Sequence, residues 1–231
     1  MKSLNFLVPD YPRIPHLSSE ISQLTHDDLV EGASFPIEAF VQEKVDAANA
    51  GISWDETAIL RNRNHILKKG YSKIRTPAKE QFKSAWNWVH EHEFDIKEIE
   101  KRWGGKITIY GEWMWAKHSL EYNNLPDWFL AYDIWSVEDK KFISPSIAEK
   151  LFMSTNISFI PAEKKIFDSL ESVKEASLVD SKYRDGKSEG IVIKTVSGEF
   201  VDKFYKVVNS FFERREDFNE TPLVKNKLRK K

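Results

Sequence analysis

The sequence predicts an α+β fold, because segments with strand patterns alternate with segments that have helical periodicity. "KITIYGEWMW" alternates in character, and "WFLAYDIW" is a short apolar run of the kind that forms a buried strand. Phe82, Trp86 and Val89 repeat at the spacing of one helix face behind Pro77, which suits a first helical turn. "SEGIVIKTV" and "EFVDKFYKVV" are β-rich, and residues 196–198 between them favour a hairpin turn.

The remaining predicted elements follow in chain order. "VPDYPRIPHL" has three prolines and predicts an irregular lead-in, after which "SFPIEAFVQEKVDA" is compatible with a strand that ends at small residues. "AILRNRNHIL" predicts a second extended segment with Arg61 and Arg63 on one face. Helices are expected through about Glu93, over "DIKEIEKRW" up to Gly104, and over most of residues 145–178.

The composition indicates a folded globular protein and excludes several classes of site. Of 231 residues, 41% are hydrophobic and 13% aromatic, and the absence of cysteine excludes disulfides and thiolate zinc sites. With no apolar run of about 18 residues and no signal pattern, we expect a cytoplasmic protein without a membrane partner. The 35 basic and 36 acidic residues nearly balance, so nucleic-acid binding requires local patches. "KNKLRKK" at 225–231 suits either a solvated tail or a phosphate-binding arm.

The segment "EKVDAANAGI" contains the first candidate for chemistry. Strand alternation places Gln42, Lys44 and Asp46 on one face. The small residues Ala47, Ala48, Ala50 and Gly51 that follow predict open space for a ligand beside them. A lysine in a ligand cleft becomes a nucleophile when its surroundings lower its pKa. Taken alone, however, a Lys-x-Asp pair is more typical of a surface ion pair.

Five segments in a fixed order change that interpretation. "EKVDAAN" resembles the nucleotide-attachment motif of the covalent nucleotidyltransferases, which are DNA ligases, RNA ligases and mRNA capping enzymes; "YGEW", "FLAYDIW", "SEGIVIK" and "DKFYK" resemble their later motifs. "YPRIPHL" and "GEWMWAKHSLEYNNLPDWFLAYDIW" are similar to ATP-dependent RNA ligases of the RNA ligase 2 type. The resemblance spans roughly residues 10 to 208. Ala47 departs from it, since the family has glycine there.

The resemblance implies a particular architecture. It is that of an adenylyltransferase (ATP-grasp-like ligase) domain, with antiparallel sheets flanked by helices and a nucleotide cleft between the sheets. Residues 1–209 would form this domain, and residues 210–231 a short basic tail too small for an OB barrel. We therefore expect a monomer that acts on RNA ends or nicked duplexes, with a partner protein able to supply end recognition.

The resemblance also assigns roles to individual residues. Lys44 would attack the α-phosphate of ATP to give a lysyl-adenylate, with Mg²⁺, or Mn²⁺ in its place, at Glu189. AMP would then pass to a 5′-phosphate end, which a 3′-hydroxyl attacks. Glu112 would bind a ribose hydroxyl and Tyr132 would stack on adenine, although core packing also explains this tyrosine. The nucleotide-binding set implied is Glu43, Asp46, Asn49, Arg63, Glu112, Tyr132, Glu189, Lys194, Lys203 and Lys206.

Several points stay open on the sequence alone. Arg63, Lys194, Lys203 and Lys206 would contact phosphates, but an exposed basic strand also explains the arginine. Strict alternation places Glu189 and Lys194 on opposite strand faces, so a bulge near residue 190 or strand curvature is required. The alternative functions are a minimal ATP-dependent DNA ligase, a GTP-specific capping-type guanylyltransferase, and a non-catalytic nucleic-acid-binding module that retains the fold.

Overall fold

The computed structural model describes residues 7–17, 34–67, 80–212 and 223–230. The strands are β1 (Ile37–Lys44), β2 (Ala48–Trp54), β3 (Ala58–Asn62), β4 (Ile66–Leu67), β5 (Ile107–Trp113), β6 (Phe129–Ser136), β7 (Lys141–Phe142), β8 (Ala162–Phe167), β9 (Gly190–Ser197) and β10 (Phe200–Val208). The described helices are α1 (Ala85–Glu91), α2 (Glu93–Trp103), α3 (Pro145–Phe152) and α4 (Leu170–Ser177).

The strands form two antiparallel sheets, which confirms the predicted α+β class. One sheet has four strands in the order β10-β9-β1-β8, and the other has six in the order β4-β3-β2-β5-β6-β7. The hairpin between β9 and β10 is confirmed, with Gly198 at a φ of 61° in its turn. The helix over "DIKEIEKRW" is confirmed as α2 and ends at Gly104, whose φ of 87° is the left-handed cap typical of glycine.

Each sheet buries one face under helices and turns the other toward the second sheet. The outer face of the six-stranded sheet packs on α1, α2 and α3 through the largest apolar cluster of the described residues. The outer face of the four-stranded sheet packs on α4, with Val41 from β1 and Ile193 from β9 in that core. Because side chains alternate along a strand, Gln42, Lys44 and Lys194 lie on the inner face.

Two predictions about local structure were wrong. Residues 145–178 are not mainly helical, because Ala162–Phe167 pairs with β1 as the edge strand β8. Its charged side chains suit an exposed edge, and pairing with β1 overrides its weak strand pattern. The small residues after Lys44 are not open space either: they begin β2, where Ala50 is 1% exposed and a Cβ on Gly51 would lie 2.9 Å from Arg61 Cγ.

Residues 7–17, the N-terminal strap, connect the two sheets. Arg61 of β3 donates from Nη1 to the carbonyl oxygen of Val8 at 2.7 Å. At the other end, Leu17 N donates to the carbonyl oxygen of Lys206 in β10 at 3.0 Å. The prediction of a helical turn at Pro77 lies outside the described residues. Among the residues described, no helix is both long and apolar enough to cross a bilayer.

Candidate active site

Lys44 is the last residue of β1 and forms an ion pair with Glu189. Both carboxylate oxygens of Glu189 lie 2.7 Å from Lys44 Nζ. The side chain of Lys44 is 26% exposed, whereas that of Glu189 is 6% exposed. The lysine nitrogen is therefore enclosed by a carboxylate and still within reach of a molecule that enters from solvent.

Glu189 reaches Lys44 because Gly190 allows β9 to begin close against β10. Gly190 lies directly opposite Lys44 in the β1–β9 ladder. A Cβ at this position would collide with the carbonyl oxygen of Val207, so only glycine fits without movement of the backbone. The residue before it is thus held beside the end of β1.

The alternation problem has a simpler solution than the expected bulge. Glu189 precedes the strand, so strand alternation does not fix its direction, while Lys194 lies within the strand on the inner face. The β9–β10 ladder is regular at Gly190, and its register shift lies between Val201 and Lys203 instead.

Electrostatics keep Lys44 protonated in the free protein. Burial acts to lower the pKa of Lys44, but the charge and hydrogen bond of Glu189, with help from Glu112 and Asp46, outweigh it and raise the pKa. Burial also raises the pKa of Glu189, and Lys44 opposes this rise. Because both oxygens lie 2.7 Å from Nζ, we treat the pair as ionised near neutral pH.

Asp46 holds the turn after β1 against a neighbouring loop. Its carboxylate accepts hydrogen bonds from the backbone N–H groups of Ser119 at 2.7 Å and Leu120 at 3.1 Å. Its own N–H donates to the hydroxyl of Tyr122 at 2.8 Å. Ala47 does not have the positive φ that would require glycine, since Lys140 is the described non-glycine residue with that conformation. The alanine is therefore compatible with this turn.

Asn49 and Glu112 place two unsatisfied acceptors side by side. The two residues are direct partners in the β2–β5 ladder, so their side chains share a face. Asn49 Oδ1 and Glu112 Oε2 are both buried without a hydrogen-bond partner in the described structure. Burial raises the pKa of Glu112 well above its usual range, although the charges of Lys44 and Arg63 act against this. Such acceptors are suited to hydrogen-bond donors of a ligand.

A β-bulge in β6 turns the consecutive side chains of Tyr132 and Asp133 toward the inner face. The β5–β6 register shifts between Tyr110 and Gly111, which leaves Tyr132 as the extra residue. Tyr132 accepts a hydrogen bond from Asn49 Nδ2, and its ring lies 5.3 Å from that of Tyr11 in the strap. A half-buried aromatic face therefore lies beside the unsatisfied acceptors.

Lys194 lies deeper than Lys44 and is fully engaged. Its Nζ donates to Asp133 Oδ1 at 2.6 Å, to the carbonyl oxygen of Tyr132 at 3.0 Å, and to Gln42 Oε1. These three acceptors match the three donors of an ammonium group. Lys194 and Asp133 are each 1% exposed, so the structure does not bring Lys194 to the accessible part of the cleft.

The remaining predicted site residues divide between the two sides of the four-stranded sheet. Lys206 lies opposite Val192 on the inner face, and its charge acts against the rise in the pKa of Glu189. Lys203 lies opposite Thr195, is exposed, and belongs to the outer face. Glu43 also points away from Lys44: it accepts hydrogen bonds from Ser181 Oγ at 2.5 Å and Lys182 N at 2.9 Å.

The two arginines do not share a strand face as predicted. Arg61 is 2% exposed and forms an ion pair with Asp10 of the strap, so its role is structural. Arg63 follows the end of β3, is exposed, and lies near enough for its charge to act on Glu112.

Four residues around the cleft had no role assigned from the sequence. Asp133 lies inside the quoted "FLAYDIW", and Gln42 shares the alternation of Lys44, so both could have been found. Tyr11 donates its hydroxyl to Asp133 Oδ2 at 2.7 Å, and Asn226 binds the loop that carries Tyr122. No periodicity marks either of these, because each belongs to an irregular segment.

The carboxylates suit a divalent cation that arrives with phosphates. No group of three or more histidine, aspartate or glutamate side chains within the described part of the chain is arranged to hold a metal alone. Mg²⁺ commonly keeps several waters and binds through one or two carboxylates plus substrate phosphates. Glu189, and Glu112 with its unpartnered Oε2, provide hard oxygen ligands of that kind.

Comparison with solved structures gives the fold. The chain is similar to Naegleria gruberi RNA ligase with PPi, at 17% identity and a TM-score of 0.54 over 74% of this chain and 49% of that one. A mutant of the same ligase with ATP and Mn matches at 15% identity and a TM-score of 0.54, covering 78% and 52%. A further mutant, with AMP and Mn, matches at 14% identity and a TM-score of 0.52, covering 74% and 49%. The chain thus spans about half the length of these structures.

Comparison of the sequence with family models gives the family. No match was found among curated proteins. The family model described as RNA ligase matches residues 37–208, which extend from the first residue of β1 to the last of β10. That span contains Lys44, Glu112 and Glu189 together with both sheets. The chain belongs to the RNA ligase family.

Proposed function

We propose that this protein is an ATP-dependent RNA ligase that forms a covalent adenylate on Lys44. The observation that carries the proposal is the group formed by the Lys44–Glu189 pair, the unsatisfied oxygens of Asn49 and Glu112, and the ring of Tyr132. A nucleophile, acceptors for sugar hydroxyls and an aromatic surface for a base are the features that adenylyl transfer requires.

In the first step, the Lys44 nitrogen attacks the α-phosphorus of ATP. A P–N bond forms, the bond from that phosphorus to the bridging oxygen breaks, and pyrophosphate leaves. The lysine must first lose its proton to solvent, which the neighbouring charge of Glu189 opposes. Glu189 would hold a divalent cation, whose positive charge would offset that of the carboxylate and of the phosphates.

Asn49, Glu112 and Tyr132 would orient the nucleoside during this step. The free oxygens of Asn49 and Glu112 accept from ribose hydroxyls, and the half-buried Tyr132 ring packs on adenine. Holding the sugar and base fixes the α-phosphate in front of Lys44, so that attack is effectively intramolecular. Lys206 and Arg63 would supply positive charge for the phosphates.

In the later steps, the adenylyl group passes from Lys44 to a 5′-phosphate end. A terminal 3′-hydroxyl then attacks that activated phosphate, the phosphodiester forms, and AMP leaves. The similar Naegleria gruberi RNA ligase structures contain PPi, AMP with Mn, and ATP with Mn, which supports the same reactants here. Membership of the RNA ligase family supports RNA as the joined strand.

The first test is label transfer from ATP to protein. The protein is incubated with α-labelled ATP and Mg²⁺ or Mn²⁺ without nucleic acid, and bound label is measured after denaturation. We expect labelling of the wild type and of Lys164→Ala, a control on the exposed edge strand β8, and none of Lys44→Ala. Retained labelling of Lys44→Ala would exclude Lys44 as the nucleophile.

The second test identifies the substrate. Nicked duplexes with RNA or DNA on the 3′-hydroxyl side are compared for sealing, and ATP is compared with GTP for adduct formation. We expect sealing of the RNA-terminated nick and preference for ATP. Preferential sealing of the DNA-terminated nick would indicate a DNA ligase, and preference for GTP a capping-type guanylyltransferase.

A further inference from the structure

Residues 223–230, here the C-terminal strip, are bound along the loop that supports the site. Lys117 N donates to the carbonyl oxygen of Val224 at 2.7 Å, and Lys227 N donates to that of Tyr122 at 2.8 Å. Farther along, Arg229 N donates to the carbonyl oxygen of Leu125 at 2.8 Å. The strip is thus an extended segment with its backbone paired, rather than the solvated tail that its composition alone allows.

Asn226 fixes the strip in place. The residue is 3% exposed, and its Nδ2 donates to the carbonyl oxygens of Met114 at 2.8 Å and Ala116 at 3.1 Å. Its Oδ1 accepts from Tyr122 N at 2.9 Å. The hydroxyl of the same tyrosine accepts from Asp46 N, two residues after Lys44. The strip is therefore connected to the nucleophile's turn through one side chain.

The inward direction of Asn226 determines where the charges lie. In an extended segment side chains alternate, so Lys225, Lys227 and Arg229 project on the side opposite Asn226, and all three are exposed. Two of them have side-chain partners: Lys225 Nζ lies 4.6 Å from the centre of the Trp115 ring, and Lys227 Nζ lies 3.4 Å from Glu121 Oε1.

The surface around the strip is predominantly basic. Lys117 and Lys230 add to its charge, and Glu121 is the carboxylate that pairs with Lys117 and Lys227. The chain as a whole has a net charge of −1, so this concentration of cations is local. Cations at alternate residues of an extended segment are about 6.6 Å apart, which suits consecutive phosphates of an extended nucleic-acid strand.

We propose that the C-terminal strip is a binding surface for the phosphate backbone of the polynucleotide, held beside the adenylylation site by Asn226. We expect the surface to bind phosphates rather than bases, because its binding groups are cationic side chains on an exposed segment whose backbone is already hydrogen-bonded. The proposal rests on the proposed function, since it places the strand that receives AMP from Lys44.

The test measures how binding of RNA depends on salt. A fluorescent single-stranded RNA with a 5′-phosphate is titrated at several salt concentrations with wild type and with the triple variant Lys225→Ala, Lys227→Ala, Arg229→Ala. Each phosphate contact contributes about 0.7 to the slope of log affinity against log salt. We expect the slope to fall by about 2 and affinity near 0.1 M salt to weaken about tenfold or more.

Two further variants make the result specific. Lys97→Ala, Lys101→Ala, Lys150→Ala removes the same charge from α2 and α3, on the outer face, and should leave the slope unchanged. Asn226→Ala should weaken both RNA binding and adduct formation, because it releases the strip and disturbs the turn after Lys44. Circular dichroism and thermal unfolding of the strip triple variant verify its fold.

Failure of the two proposals can be told apart. RNA binding is measured without ATP, so an absent lysyl-adenylate affects only the proposed function. A salt slope and affinity of the strip variant equal to wild type would overturn the strip as a binding surface. An equal loss in the outer-face control would also overturn it, because the effect would then follow net charge rather than position.

Discussion

Of the lysines that face the space between the sheets, Lys44 and Lys194 are each paired with a carboxylate. Lys44 binds Glu189 at 26% side-chain exposure, whereas Lys194 and Asp133 are each 1% exposed. Burial lowers the pKa of Lys194 despite the charge of Asp133, while the acidic neighbours of Lys44 overcome burial and raise its pKa. The two lysine–carboxylate pairs therefore lie in different environments.

The different environments of the two pairs indicate a reactive role for one and a structural role for the other. Lys194 satisfies three acceptors and joins β9 of one sheet to β6 of the other, so its release would leave Asp133 charged and unpaired. Lys44 has Glu189 as its hydrogen-bond partner and its side chain is 26% exposed, so a ligand that enters from solvent can compete for it. We infer that the Lys44–Glu189 pair is the reactive one and that the Lys194–Asp133 pair maintains the cleft.

The largest expected effect is the loss of adduct formation in Lys44→Arg. Arginine keeps the positive charge but stays protonated, so it cannot attack phosphorus. Label transfer should fall below detection, and the melting temperature should stay close to wild type because the ion pair with Glu189 can form again. Wild-type levels of label would contradict the assignment.

The next effect is on stability, in Lys194→Met. Removing one partner of a fully buried ion pair costs about 3–5 kcal/mol, a fall in melting temperature of the order of 10 °C for a domain of this size. Thermal unfolding followed by circular dichroism measures it, with Lys44→Met as the matched variant at the partly exposed pair. A double change, Lys194→Met with Asp133→Leu, should be more stable than the single one. Equal melting temperatures for the two single variants would refute the contrast.

A smaller effect concerns pH. Because its neighbours raise the pKa of Lys44, the lysine is charged near neutral pH and the reactive fraction grows as pH rises. The initial rate of adduct formation should increase with pH below that pKa, with a slope approaching about one log unit per pH unit. Rapid-quench assays at saturating ATP measure this rate. A rate that is flat between neutral and alkaline pH would show that deprotonation of Lys44 does not limit the step.

The smallest effect is expected for Tyr11→Phe. The substitution removes the hydrogen bond from the strap to Asp133 but keeps the ring that packs on Tyr110 and Tyr132. We expect a loss of about 1 kcal/mol in the free energy of unfolding, measured by urea denaturation. Tyr183→Phe, at a buried tyrosine outside the strap, serves as a comparison. No loss in Tyr11→Phe would mean that Lys194 alone stabilises Asp133.

Much of the fold was predictable because its signals are local. The β9–β10 hairpin follows from its strand composition and Gly198, and α2 follows from its apolar spacing and Gly104. Strand β8 was not predictable, because "AEKKIF" forms a strand only through pairing with β1. Likewise, the small size of Ala50 and Gly51 predicted open space. In the structure Ala50 packs in the core, and the side chain of Arg61 lies too close to Gly51 for a larger residue.

Several members of the candidate site could be named from the sequence, but their spatial relations could not. The order of the motifs identified Lys44 and Glu189 as candidate site residues. Their contact, however, depends on the close fit of Gly190 against β10. The position of Lys203 on the outer face follows from a register shift in β10, which leaves no mark in the sequence. The inward turn of Tyr132 and Asp133 together also depends on a bulge, which breaks the alternation that sequence reasoning uses.

The most direct measurement is the position of the adenylyl group on the protein. After incubation with ATP and a divalent cation, peptides are mapped by mass spectrometry at neutral to alkaline pH, because the phosphoramidate bond is labile in acid. We predict one adenylyl group, on the peptide that contains Lys44, and an unmodified Lys194. An adduct on Lys194 or another lysine, or no adduct on a folded protein, would contradict the assignment of Lys44 as the nucleophile.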